Sequence, residues 1–232
     1  MKRKSIIFFI SSMIISLLGS SQQKDMMLDF DIKILNSGQY INTKGQIYYD
    51  IVGKKMTTHF SSPKEVYILT DIYGNYKYYE SDDNSVMMKE SKNFSSNKSI
   101  FYYFFNGKTQ SLGYDEKGFE LVKSEFSDNM LITKWSPKNE ESFISEAEIV
   151  FENNLPIYAA DYNKEKPISK RYYNNYQLIY GYPIPLNITE IKYDDSNDST
   201  ITEKKYYNIQ KGVDANNKIK NFEVPSDAKI IK

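Results

Sequence analysis

No cysteine occurs among the 232 residues, and there is one histidine, His59, and one tryptophan, Trp135. Without thiols there is no disulfide framework, no lipobox for a lipid anchor and no cysteine nucleophile. A single histidine, with no cysteine beside it, is also too few for the usual zinc sets. An excess of either charge is missing too: 30 basic residues face 30 acidic ones, and no basic stripe marks nucleic acid as a partner. Glycine and proline are sparse, at 10 and 7, against 21 tyrosines and 13 phenylalanines. That balance favours strands, because aromatic side chains suit a half-buried pleated surface.

The longest apolar stretch, Ser5 to Leu18, is shorter than the roughly 20 residues a membrane-spanning helix needs. It follows Lys2, Arg3 and Lys4 and precedes the small residues Gly19 and Ser21, the order of a secretory signal. The expected cleavage lies between Ser21 and Gln22, to within one residue, giving a signal peptide over 1–21 and a single domain over 22–232, exported to the periplasm. An uncleaved anchor is the alternative. Cleavage removes three basic residues and no acidic one, leaving 27 against 30. The remaining roughly 210 residues suffice for one domain that folds on hydrophobic burial alone.

Alternation of period two begins at once: Leu28, Phe30, Ile32 and Ile34 against Asp29, Asp31 and Lys33 predict a strand over Met27 to Leu35. Asn36-Ser37-Gly38 turns the chain toward a strand in which Ile47, Tyr49 and Ile51 share a face. Gly53-Lys54-Lys55 leads into Met56 to Phe60, which Pro63 ends. Val66 to Thr70 and Asn75 to Glu80 pair across Tyr73-Gly74. Between Ser95 and Asn106 the period changes: Ile100, Phe101, Phe104 and Phe105 fall at helical spacing, with Ser95, Ser96 and Asn97 as caps, Asn106-Gly107 as the stop, and Tyr102 and Tyr103 on the flank. Strands then recur at Phe119 to Glu125, Met130 to Trp135, Ile144 to Glu152, Pro156 to Asp161, Lys170 to Ile179, Leu186 to Tyr193, Ile201 to Ile209 and Phe222 to Val224, separated by turn residues such as Asn153-Asn154 and Lys211-Gly212. A mainly β, antiparallel domain with one or two helices follows: a closed barrel, a sandwich, or a strongly curved sheet wrapped around a helix.

Catalytic chemistry finds little support. The acidic pairs Asp82-Asp83, Glu140-Glu141 and Asp194-Asp195 sit in polar turns, without the apolar pocket that raises a general acid's pKa. Asp194 to Asp198 crowds oxygen ligands but lacks the glycine and spaced glutamate of an EF-hand loop. His59 reads as structural or surface, and Trp135 as a core anchor whose indole N–H needs a partner. The tyrosines Tyr172, Tyr173, Tyr176, Tyr180 and Tyr182 read as cross-strand pairs or as a contact surface. No enzyme, cofactor or metal is expected.

The order of elements resembles the LolA-like periplasmic lipoprotein carriers and outer-membrane lipoprotein-sorting proteins over most of the mature chain. Four segments carry the resemblance: Gly45-Gln46-Ile47-Tyr48-Tyr49 with Met56 to Phe60 and Pro63; Val66 to Asp71 leading into Gly74 to Tyr79; Phe119 to Pro137; and Ile219 to Pro225, similar to the family's closing strand. The resemblance implies an incomplete β barrel whose concave face holds acyl chains of a lipid or acylated lipoprotein, with helices as a lid, a monomer that meets envelope membrane proteins. Phe30, Ile32, Ile47, Tyr49, Ile51, Met56 and Phe60 then line the wall, and Ile100, Phe101, Phe104 and Phe105 close it; filling an ordinary core is the other reading of the same residues. An exported interaction module on the same fold is the alternative function. Two features depart from the family. Val52-Gly53-Lys54-Lys55 lacks the arginine and proline found there, and only Gln22 to Met26 stand where the family has a first helix.

Overall fold

Fourteen strands form one sheet in the computed structural model of the chain, which describes residues 24–194 and 198–231. The expected signal peptide over 1–21, its expected cleavage point and the centre of the acidic loop, with Asp195, lie outside the described residues. The strands are β1 (Asp25–Asn36), β2 (Gln39–Asp50), β3 (Lys55–Ser62), β4 (Val66–Thr70), β5 (Asn75–Glu80) and β6 (Ser85–Glu90), then β7 (Phe119–Ser127), β8 (Met130–Pro137), β9 (Glu146–Glu152), β10 (Leu155–Asn163), β11 (Lys166–Ile179), β12 (Tyr182–Tyr193), β13 (Ser199–Lys211) and β14 (Lys229–Ile231). Between β6 and β7 lie 3-10 turns at Lys92–Phe94, Ser96–Lys98 and Asp115–Lys117 and the helix α1 (Ile100–Phe105).

The sheet is two meanders joined in the middle. Strands β1 to β6 step outward one way from the centre, β7 to β13 step inward from the opposite edge, and β1 closes the union by pairing antiparallel with β13, Phe30 opposite Tyr206. Hairpin turns carry the φ-tolerant residues this requires: Asp128-Asn129 and Asn153-Asn154 all have positive φ, between 50° and 63°. Because β6 and β7 lie at opposite ends of the meanders, the segment between them must traverse a face of the sheet, and α1 lies in that crossing. We call the face it covers the inner face.

Alternation sorts the residues as the fold needs. On the inner face Met26, Leu28, Phe30, Ile47 and Tyr49 are buried with Tyr206, Ile188, Ile149 and Trp135 in one apolar cluster that includes the α1 aromatics. On the outer face, the C-terminal segment covers β1 and β2, burying Val213 and Ile219 against Met27 and Tyr48. Asp25 anchors it: one carboxylate oxygen accepts from Lys220 Nζ at 2.8 Å and Tyr48 OH at 3.1 Å, the other from the Val213 N–H at 2.8 Å.

Three expectations need correction. The helix is one and a half turns rather than the whole of Ser95 to Asn106: Ser99, not Ser95, caps it by accepting from the Tyr102 N–H, while Ser95 caps a separate 3-10 turn. Phe222 to Val224 is not a strand; Phe222 lies flat on Tyr67 at 3.7 Å between ring centroids, outside the sheet, and the closing strand is β14, parallel to β6. Strand β6 is an addition to the expected set: the polar turn at Asp82-Asp83-Asn84, with Asn84 at positive φ, returns the chain to pair with β5. Ile51 likewise falls just past the end of β2, in the turn.

Candidate binding face of the sheet

All eleven residues expected to form the binding wall and its cover lie in one contiguous cluster. Phe30, Ile47, Tyr49, Phe101, Phe104 and Phe105 are buried, and Ile32, Ile51, Met56, Phe60 and Ile100 pack against them half-buried. The contacts are between helix and wall: Tyr49 meets Phe101 and Phe105, each at 6.0 Å between centroids, Phe101 meets Tyr206 edge-on at 5.3 Å, and Phe104 meets Tyr176 at 6.0 Å. The helix therefore occupies the apolar part of the inner face. Tyr103 is buried with the phenylalanines although spacing placed it on the flank, because α1 is sunk between the sheet and the Leu112–Tyr114 segment and has little free side. One polar atom is stranded there: the hydroxyl of the fully buried Tyr49 has no hydrogen-bond partner among the described residues. Burial drives the Tyr49 phenol well above the ordinary tyrosine pKa.

The segment carrying α1 is tied down on the β4–β5 side. Asp71 accepts at one oxygen from the N–H groups of Tyr73 (2.9 Å) and Asn75 (3.1 Å) and at the other from the Asn75 amide (2.7 Å), and its carbonyl accepts from the Ser96 N–H at 2.9 Å. Burial pushes the Asp71 carboxyl upward, but these hydrogen bonds outweigh it and hold the group below its usual pKa.

The far end of the inner face changes character. Asp161 on β10 accepts from Ser169 Oγ at 2.5 Å and Arg171 Nη at 3.0 Å, both on β11, and from the Tyr114 hydroxyl. Arg171 also donates to the Tyr114 hydroxyl. Glu190 on β12, opposite Arg171, pairs with Lys192 at 3.5 Å and Lys204 at 3.9 Å. A cleft of about 1240 Å³ opens over this row, floored by Asp161, Ser169, Arg171 and Glu190 and flanked by Lys117 and the β10–β11 hairpin. A separate, smaller space of about 180 Å³ shares Arg171 and Glu190 with it and is otherwise lined by Ile100 and Tyr103 of α1, by Leu112, Tyr173 and Ile188, and by Lys98 and Lys204. Of the expected wall and cover residues, only Ile100 borders these two spaces.

The Arg171 group escaped the sequence reading, which followed apolar alternation. A signal existed: beyond Arg3, Arg171 is the only arginine, in a chain whose other cations are lysines apart from the one histidine. The acidic pairs stand where turns put them, with Asp82, Asp83, Glu140, Glu141 and Asp194 exposed, and the described residues hold no cluster of three or more histidine or carboxylate groups able to bind a metal. His59 stacks on Tyr67 at 4.3 Å and faces Glu65 at 3.2 Å. Trp135 is buried and donates its indole N–H to Thr133 Oγ at 3.1 Å. Tyr172 pairs across strands with Tyr158 at 5.2 Å.

No protein-family model matches the chain, and no curated protein matches it in sequence. Solved structures do match in shape. A LolA superfamily protein from Nitrosomonas europaea aligns with a TM-score of 0.54 at 10% identity, over 81% of this chain and 86% of that one. A domain assigned to outer membrane lipoprotein sorting from Vibrio parahaemolyticus aligns with a TM-score of 0.55 at 12% identity, over 87% and 93%. The fold is LolA-like. A DUF1329 family protein from Desulfovibrio piger shares it at a TM-score of 0.50 and 15% identity, over 84% of this chain and 89% of that one. A curved sheet with few helices, expected from the order of elements, is thus the observed LolA-like architecture. Among the described residues no helix is long and apolar enough to cross a membrane.

Proposed function

We propose that this LolA-like protein is an exported, non-enzymatic binder that shields the acyl chains of a lipid or acylated lipoprotein on the inner face of its sheet, working in the periplasm with 1–21 as its export signal and 22–232 as one domain. The observation that carries the reading is the cover of that face. A wall of Met26, Leu28, Phe30, Ile47 and Tyr49 is closed by a six-residue helix on a crossing segment, backed by Leu112 and Tyr114 of the same segment. So short a helix is held by packing rather than by its own hydrogen bonds. An acyl chain entering beneath it replaces like with like, each buried methylene contributing about 0.8 kcal/mol. The stranded Tyr49 hydroxyl gains a partner if the ligand brings an ester or amide carbonyl. Phe30, Ile32, Ile47, Tyr49, Ile51, Met56 and Phe60 are then the wall, and Ile100, Phe101, Phe104 and Phe105 the part that gives way.

Native mass spectrometry of the exported protein prepared without detergent, followed by lipid extraction, tests this. A copurifying acyl ligand, or uptake of one from vesicles by the empty protein, is the expected result. Repeated recovery of empty protein that also takes up no lipid counts decisively against it. The tight packing of α1 favours a second reading, an envelope protein-interaction module with a permanently filled core; that reading predicts the empty, lipid-refusing protein.

A further inference from the structure

The polar end of the inner face has more cation than its carboxylates can use. Asp161 is saturated by Tyr114, Ser169 and Arg171, and Glu190 is shared between Lys192 and Lys204. Several donors are left over, and two of them share one aromatic ring. Arg171 Nε is buried without a hydrogen-bond partner, and Lys117, which lines the cleft, makes no ion pair among the described residues. Both cations lie against one ring, the Lys117 ammonium 5.1 Å and the Arg171 guanidinium 5.7 Å from the Tyr114 centroid. Loss of water around its ammonium and the neighbouring Arg171 charge depress the Lys117 pKa, with the Asp161 carboxylate acting in the opposite sense.

We propose that Lys117 and Arg171 form a phosphate-binding site at the mouth of the inner face, for the head group of the same amphiphile whose chain the apolar end would cover. The placement supports this: Arg171 borders both the cleft of about 1240 Å³ and the space of about 180 Å³ lined by Ile100 and Tyr103 of α1. A phosphate offers three peripheral oxygens to an ammonium and a guanidinium edge, and charge-assisted hydrogen bonds of this kind are roughly twice as strong as neutral ones. The head-group assignment rests on the acyl-binding reading; the phosphate site itself does not, since free phosphate presents the same chemistry.

The test compares lysophosphatidic acid with the monoacylglycerol of the same chain, which differs only in lacking the phosphate, and with inorganic phosphate, by calorimetry on the mature protein and its Lys117→Gln variant. Lys117 is exposed at the end of a 3-10 turn, so this substitution leaves the fold intact, whereas loss of Arg171 strands Asp161. We expect lysophosphatidic acid to bind roughly tenfold or more tightly than the monoacylglycerol, and the substitution to remove most of that difference while leaving monoacylglycerol binding unchanged. Lys117-dependent binding of inorganic phosphate with neither amphiphile bound keeps the site, makes free phosphate its source and removes the acyl reading. Equal affinities for the two amphiphiles, or equal lysophosphatidic acid affinity in variant and parent, overturn the phosphate site and leave the acyl reading standing. Binding of none of the three overturns both.

Discussion

Tyr49 shows how a single atom separates a filled core from a binding face. Its ring stacks under α1, where a phenylalanine would serve equally well, yet it carries a buried hydroxyl with nothing to bond. An unsatisfied buried hydroxyl costs about 1–3 kcal/mol, so Tyr49→Phe is expected to stabilise the empty protein by about 1 kcal/mol, read as a higher denaturant midpoint at unchanged slope. A lower midpoint would mean that the hydroxyl has a partner in the folded chain. Gly45 makes the opposite case. A Cβ there would stand 1.9 Å from the carbonyl oxygen of His59 and 2.8 Å from the Phe30 ring, because β3 closes tightly over the bulge between Lys44 and Gly45. Gly45→Ala is expected to cost about 1–3 kcal/mol or more, since the nearest neighbour is backbone and cannot swing aside; an unchanged midpoint would contradict this. Gly45 was visible in the sequence as part of a motif, but its reason was not, because the crowding comes from a strand fourteen residues away. His59 and Trp135 were legible for the converse reason: their roles follow from what the composition denies them.

At the scale of elements, strand positions were legible wherever one face is wet, as in β1, and less so where both faces are covered. Met26, Met27 and Leu28 are all buried, because α1 lies on one side and the C-terminal segment on the other, and that consecutive run erases the alternation. The same covering explains Phe222: a segment that looks like a strand by composition instead lays its ring on Tyr67 and Tyr79 across the outer face. The clamp that holds this segment is the Asp25–Lys220 pair, nearly inaccessible on the Asp25 side at 1% exposure. Lys220→Met strands a buried carboxylate and is expected to cost about 3–5 kcal/mol, whereas pairing it with Asp25→Asn recovers much of the loss, because the stranded charge then disappears. Thermal unfolding of the two variants checks the order. If the double variant is no more stable than Lys220→Met alone, the effect lies in lost packing of the lysine stem instead.

For the whole molecule, the predominance of antiparallel strands could be read from alternation and turn spacing, but the choice of a single sheet over a barrel or sandwich, and the order of its strands, could not. Nothing local says that β1 pairs with β13, and that long-range pairing forces the crossing segment over the inner face and sets an aromatic helix against a tyrosine-rich wall. The result has a global signature at high pH. Burial raises the Tyr103 phenol to about 12 and drives those of Tyr49, Tyr114, Tyr176 and Tyr206 higher still, against about 10 in an unfolded chain. Each of these groups holds its proton more firmly in the folded state. Their contribution to stability is therefore complete below the unfolded value near pH 10 and is lost as the pH rises from there toward and through the folded values. The chain is expected to unfold cooperatively in this alkaline range, with a step of phenolate absorbance coinciding with loss of the tyrosine circular-dichroism signal. If an acyl ligand fills the inner face and keeps these phenols dry, loading the protein moves that step to higher pH, in proportion to affinity for the folded state. A step that stays in place on saturation with ligand would put the ligand elsewhere than beneath α1.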